Sequence, residues 1–109
     1  MAAPALGFAL SPDELKNVMI PVQLWQAEDD VILPHSRYAE LVRLALAKVP
    51  SHHVVHKAGH FDFLAPCSVA LVDITPVICR SDPGFDRVAF HQTFNISMVD
   101  FFGKNLKQN

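Results

Sequence analysis

The sequence predicts an α/β fold built around parallel strands. Two short strand-like segments, residues 21–26 and 52–57, flank a segment with helical periodicity, and further helical segments lie on either side. Strands that alternate with helices favour parallel pairing, because the connecting helix returns the chain to the starting end of the sheet. Hydrophobic residues make up 50% of the chain and charged residues 18%, a balance that supports a packed core rather than disorder.

The first elements predicted are a strand, a short helix and a second strand. The apolar residues 2–10 predict a strand or a strand end, and residues 11–17 predict the helix. Ser11 is a suitable N-cap, and Pro12 suits the first helical position. Glu14 stands three residues after Ser11, as in a capping box. Residues 21–26 then predict a compact strand that ends at an acidic corner.

Residues 36–49 predict the second helix. Its apolar positions recur at the spacing of one helix face. They are Tyr38, Leu41, Val42, Ala45 and Val49. Pro50 ends the segment because proline cannot continue a helix, and residues 52–57 follow as the next strand.

The last part of the chain predicts a long irregular segment and a terminal helix. Residues 61–85 carry both cysteines, and the apolar residues 69–74 fit either a short helix or a packed loop. Residues 86–106 predict a helix with a buried apolar stripe. The stripe consists of Phe90, Phe94, Met98, Phe101, Phe102 and Leu106.

The number of elements predicts an incomplete sheet. Parallel sheets usually carry helices on both faces, whereas this chain offers two to three parallel strands and about three flanking helices. We therefore expect residues 1–109 to form one domain that represents part of a larger sheet.

Charge, hydropathy and cysteine content narrow the class of protein. The formal charge of −2 shows no basic excess, so nucleic acid is not an expected partner. No stretch approaches the roughly 20 apolar residues of a transmembrane helix, so no membrane span is expected. Cys67 and Cys79 fit either one disulfide or two free thiols. A bridge would favour an exported or periplasmic location, and free thiols a cytoplasmic one.

Asp30 and His60 are the candidate catalytic residues. Each follows one of the two predicted parallel strands, and functional residues collect at the carboxyl ends of such strands. Adjacent strands lie about 4.8 Å apart, so side chains on the loops that leave them can meet. A carboxylate there orients an imidazole and stabilises its charged form. Gly59 is expected to provide the sharp turn that presents His60.

Alternatives remain for both residues. An Asp after a strand is often a turn or helix cap, and a His beside a glycine is often a turn residue. Asp29 and Glu28 are rivals for the role of the acid. Asp62 lies close enough in sequence to tune His60, although such a residue more often caps a turn.

The histidine-rich run is a weaker candidate for a metal site. It comprises His52, His53, His56 and His60, with Asp62. Imidazoles are common metal ligands. On a strand, however, residues two and four positions apart lie about 7 and 13 Å from each other, so one metal would not easily take both His52 and His56. A polar strand start is the preferred interpretation, and no metal or cofactor is expected.

These residues resemble the C-terminal part of an α/β-hydrolase. In that superfamily a strand leads to a Gly-x-x-Asp-x-x-x-Pro-like turn that holds the acid of the catalytic triad, and the next strand leads to the triad histidine. The corresponding turn runs from Ala27 to Pro34, with Ala27 in place of the common glycine. The resemblance assigns the acid to Asp30 and the histidine to His60.

The closer resemblance is to predicted dienelactone hydrolases and the esterases related to platelet-activating-factor acetylhydrolases. It rests on the order of short segments along nearly the whole chain. These are residues 3–7 (APALG), 21–25 (PVQLW), 60–68 (HFDFLAPCS), 78–79 (IC) and 86–91 (DRVAFH). The resemblance implies an acyl hydrolase that acts on a small ester substrate.

The nucleophile of such an enzyme is missing from these residues. A serine hydrolase of this fold needs Gly-x-Ser-x-Gly upstream of the acid and the histidine. None of the serines stands in that motif. We therefore expect the tail of a hydrolase, without the nucleophile or the oxyanion hole, and inactive by itself. The alternative is a non-catalytic α/β module that associates with itself or a partner, since a half-sheet exposes an edge and an apolar flank.

Overall fold

The computed structural model describes residues 11–34 and 38–106 of the chain. The described helices and strands are α1 (Pro12–Leu15), β1 (Gln23–Ala27), α2 (Ala39–Ala45), β2 (Ser51–Val55), a 3-10 helix (His60–Phe63), α3 (Val69–Ile74), α4 (Pro76–Cys79) and α5 (Arg87–Asn105). They fall into two compact units, Met1–His60 and Phe61–Asn109. The strand predicted at residues 2–10 lies outside the described residues.

The first helix begins at the capping box that the sequence predicts. The Ser11 hydroxyl accepts a hydrogen bond from the Glu14 backbone N–H at 3.3 Å, and the Glu14 carboxylate accepts one from the Ser11 backbone N–H at 2.8 Å. These two bonds satisfy N–H groups that the first turn leaves unpaired. The helix ends at Leu15, two residues earlier than predicted.

The two strands form a parallel pair in the register Gln23↔Ser51 to Ala27↔Val55. All of β1 is buried, whereas β2 is exposed or half-buried. Leu15, Leu24 and Val42 form the core of this unit, with one side chain each from α1, β1 and α2. The predicted combination of helices with a parallel sheet is confirmed, with two strands in the described sheet.

The second helix is shorter than its apolar pattern predicts. It ends at Ala45, and Leu46 is already extended with ψ of 136°. Val42 is buried, but Leu41 is exposed and Val49 is 92% exposed. The predicted stripe is therefore wrong at these two positions. Val49 precedes Pro50, whose ring disfavours helical backbone at the preceding residue, and β2 begins one residue after that proline.

The second unit contains more helix than its sequence predicts. Residues 69–74, whose sequence fits either a helix or a loop, form α3, and α4 follows within the segment predicted as irregular. Cys67 and Cys79 form a disulfide with a Cα–Cα distance of 5.6 Å, which decides between the bridge and the free thiols.

The predicted terminal helix is confirmed as α5. The Asp86 carboxylate caps it by accepting a hydrogen bond from the Ala89 N–H at 2.9 Å. None of the six residues of the predicted stripe is buried, so the expectation of a buried stripe is wrong. Phe90 and Phe94 are half-buried, and Leu106 is exposed. No described helix is long and apolar enough to cross a membrane.

Candidate catalytic dyad

The loops that follow β1 and β2 lie side by side at one edge of the sheet. Ala27 and Val55 are partners at the ends of the two strands. Beyond them, the backbone N–H of Glu28 donates to the Val55 carbonyl at 3.0 Å, and that of Asp29 donates to the Ala58 carbonyl at 3.0 Å. The backbone pairing therefore continues past the strands and brings the two loops together.

Asp30 and His60 meet at this edge. The His60 Nδ1 atom lies 2.9 Å from Asp30 Oδ2. The Asp30 side chain is 2% exposed and that of His60 is 26% exposed, so the carboxylate is shielded while the imidazole reaches the surface. An ionised carboxylate only accepts hydrogen bonds, which assigns the proton to Nδ1 and the lone pair of the neutral ring to Nε2.

The second oxygen of Asp30 is bound to its own loop. Oδ1 accepts hydrogen bonds from the backbone N–H of Ile32 at 3.0 Å and of Leu33 at 2.7 Å. Asp side chains commonly bind backbone two or three residues ahead in turns. Asp30 therefore acts as the turn residue that the sequence allowed and also binds His60.

The rival acids occupy other positions. The Glu28 carboxylate accepts a hydrogen bond from the Lys57 backbone N–H at 2.9 Å and lies 3.1 Å from His56 Nδ1. The Lys57 N–H and the His56 side chain hold the pKa of Glu28 below its ordinary value of 4.5, because both stabilise the carboxylate. Asp29 is exposed. Of the three acidic residues, the structure joins Asp30 to His60.

The turn before His60 does not depend on Gly59 as predicted. Lys57 has φ of 60°, in the left-handed region, and no described glycine has positive φ. The Ala58 N–H closes the turn on the Val55 carbonyl at 3.3 Å, and Ala58 is fully buried. The sequence offers no signal for this, because lysine has no preference for left-handed backbone.

The histidines of β2 bind neighbouring side chains. His52 Nε2 lies 2.7 Å from Gln26 Oε1, and His53 Nε2 lies 2.9 Å from Ser51 Oγ. The His53 ring stacks on Trp25 with 4.2 Å between ring centroids. Among the described residues no group of three or more His, Cys, Asp or Glu side chains is arranged to hold a metal ion. These contacts fit the polar strand start preferred from the sequence.

Asp62 carries an ion pair that the sequence does not reveal. Its carboxylate lies 2.9 Å from Arg87 Nη2 and accepts a hydrogen bond from Arg87 Nε at 3.0 Å and another from the Ser81 hydroxyl. The His91 Nε2 atom lies 2.8 Å from the Asp62 carbonyl oxygen. Asp62 and Arg87 are 3% and 7% exposed. Asp62 is therefore the acceptor in a buried polar cluster with Arg87 and Ser81.

The dyad has the geometry of a general base with its orienting group. A histidine whose Nδ1–H is held by a buried carboxylate presents Nε2 for proton transfer. Comparison with protein-family models, curated proteins and solved structures found no match to the chain, so the resemblance to α/β-hydrolases rests on the residues quoted above.

Proposed function

We propose that this chain carries the acid and the histidine of a serine-type carboxylic ester hydrolase of the α/β-hydrolase kind. The observation that supports the proposal is the 2.9 Å contact between His60 Nδ1 and the buried Asp30 carboxylate, at the carboxyl ends of adjacent parallel strands. The proposal takes the serine and the oxyanion hole from a segment other than these 109 residues, because Gly-x-Ser-x-Gly is absent from them.

His60 transfers the proton in this mechanism. Its Nε2 takes the proton of the serine hydroxyl as the oxygen attacks the ester carbonyl, and then gives it to the alkoxide that leaves. In the second half of the reaction, Nε2 takes a proton from the water that attacks the acyl-enzyme, and it gives that proton to the serine oxygen as the acid leaves.

Asp30 orients the imidazole and stabilises its charged form. Its carboxylate accepts the Nδ1–H bond, while the N–H groups of Ile32 and Leu33 hold its other oxygen in place. An orienting group fixed from two sides keeps the imidazole in the tautomer that the reaction needs. The mechanism uses no metal and no cofactor.

Turnover of p-nitrophenyl acetate tests the proposal in a polypeptide that joins this chain to the segment with the serine. His60→Ala and Asp30→Asn should each lower kcat by about a thousandfold or more, because the general base or its tautomer is lost. His56→Ala and Glu28→Gln are the matched controls. They alter an exposed His–Glu pair on the same two loops and should leave kcat unchanged.

The 109-residue chain itself supplies a second measurement. The ¹⁵N NMR shifts of the His60 ring should show a protonated Nδ1 in the wild type and a shift toward the Nε2-protonated tautomer in Asp30→Asn, since the carboxylate acceptor is gone. Full turnover in His60→Ala, or a neutral wild-type ring with its proton on Nε2 instead of Nδ1, would remove the dyad from the mechanism.

A non-catalytic, self-associating module is the second candidate function. The observation that favours it is a set of large apolar side chains that are strongly exposed in the chain. They are Val31, Val49, Val69, Ile74 and Val77. Full turnover in His60→Ala would show that the dyad of this chain takes no part in catalysis, which is what the second function requires.

A further inference from the structure

A cavity of about 500 Å³ lies beside the disulfide of the second unit. Both Cys67 and Cys79 line it, and both are half-buried. Val72 of α3 and Arg87 of α5 also line it. The bridge is therefore within reach of a small molecule that enters this cavity.

The disulfide closes a loop whose two helices contain half-buried side chains but none that is fully buried. The cysteines are 12 residues apart in sequence. The six-residue helix α3 lies between them, and the four-residue helix α4 ends at Cys79. Neither helix contains a fully buried residue. Isolated helices shorter than about 12 residues are marginal in water, so the cross-link supplies order that packing does not.

The end of this loop and the residues just after it also supply partners to the buried arginine. The Ile78 carbonyl accepts a hydrogen bond from Arg87 Nη2 at 2.9 Å, and the Ser81 hydroxyl accepts one from Nε at 3.1 Å. Arg87 Nη1 is buried without a hydrogen-bond partner among the described residues. The guanidinium is therefore already short of acceptors, and release of α4 would remove another.

We propose that Cys67–Cys79 is a site of reversible thiol–disulfide exchange with a dithiol reductant that enters through the cavity, and that its reduction releases α3 and α4. A thiolate of the reductant attacks one sulfur, the S–S bond breaks, and the other cysteine leaves as a thiolate that takes a proton. The second thiol of the reductant then displaces the remaining cysteine. Two electrons and two protons pass to the protein, and the reductant leaves as its own disulfide.

Hydrogen exchange measured by mass spectrometry tests the release. Reduction of the native protein with excess dithiothreitol should speed the exchange of the amides of residues 69–78 by about tenfold or more, because little besides the bridge orders them. Reoxidation should restore their protection. The double variant Cys67→Ser with Cys79→Ser should show the fast exchange without any reductant. Unchanged protection in the reduced protein or in the double variant would overturn the proposal.

The rate of reduction tests the route through the cavity. Val72→Phe places a larger side chain in the cavity wall and should slow the reduction by about tenfold, because access controls the rate of exchange. Val69→Phe is the matched control on the same helix, at an exposed position outside the cavity lining. Equal rates in the two variants, or a bridge that is reduced only after denaturation, would contradict entry through the cavity.

Discussion

The buried side chains differ in kind between the described parts of the two units. In residues 11–60 they include seven apolar ones, with Leu24, at 1% exposure, as the largest that is fully enclosed. In residues 61–106 they are Asp62 and Arg87. The first unit is therefore held by hydrophobic packing, and the second by an ion pair, a disulfide and half-buried aromatic rings.

The two kinds of interior lose stability in different ways when a side chain is removed. An apolar core loses stability gradually as atoms are removed from it. A buried ion pair adds little over a hydrophobic replacement, yet the loss of one partner leaves an uncompensated charge. The dyad lies in the unit with the apolar core, which gives its loops a packed base.

Removal of Asp62 should have the largest effect on stability. Asp62→Ala leaves Arg87 buried without its carboxylate and should lower the free energy of unfolding of the second unit by about 3–5 kcal/mol. Urea unfolding followed by far-UV circular dichroism measures this, because α5 is the longest described helix. Asp73→Ala, at an exposed position on α3, is the control and should have little effect.

Truncation in the apolar core should have the next largest effect. Leu24→Ala should lower the free energy of unfolding of the first unit by about 3 kcal/mol, from lost transfer energy and the cavity left behind. Trp25 is the only tryptophan and lies on β1, so its fluorescence reports this unit.

The variants Leu24→Ala and Asp62→Ala together also test whether the interiors of the two units are independent. Leu44→Ala removes the same atoms from an exposed position on α2 and should be nearly neutral. If Leu24→Ala and Asp62→Ala each shifted the fluorescence and the circular dichroism transitions equally, the two interiors would not be separate.

The sequence predicts those features whose signals are local. The capping box of Ser11 and Glu14 indicates the start of α1, and Asp86, directly before α5, is the cap of that helix. The meeting of Asp30 and His60 follows from one general rule, that parallel strands end at the same edge of a sheet.

Features that depend on distant partners escaped prediction. Asp62 and Arg87 are separated by 25 residues, and no spacing rule links them. The early end of α2 was missed because its apolar residues keep helical spacing up to Val49, although the chain has to leave the helix before Pro50. The sequence predicts the sharp turn at Gly59, whereas the residue with left-handed backbone is Lys57.

The smallest expected effect concerns this strained residue of the first unit. A left-handed conformation costs a non-glycine residue about 1–2 kcal/mol, and glycine loses about 0.5–1 kcal/mol more conformational entropy on folding. Lys57→Gly should therefore raise the free energy of unfolding by about 0.5 kcal/mol, measured by Trp25 fluorescence in urea. Lys48→Gly is the control at an exposed position without positive φ, where glycine should only destabilise. A loss of stability in Lys57→Gly as large as that in Lys48→Gly would show that the left-handed backbone of Lys57 stores no strain in the turn before His60.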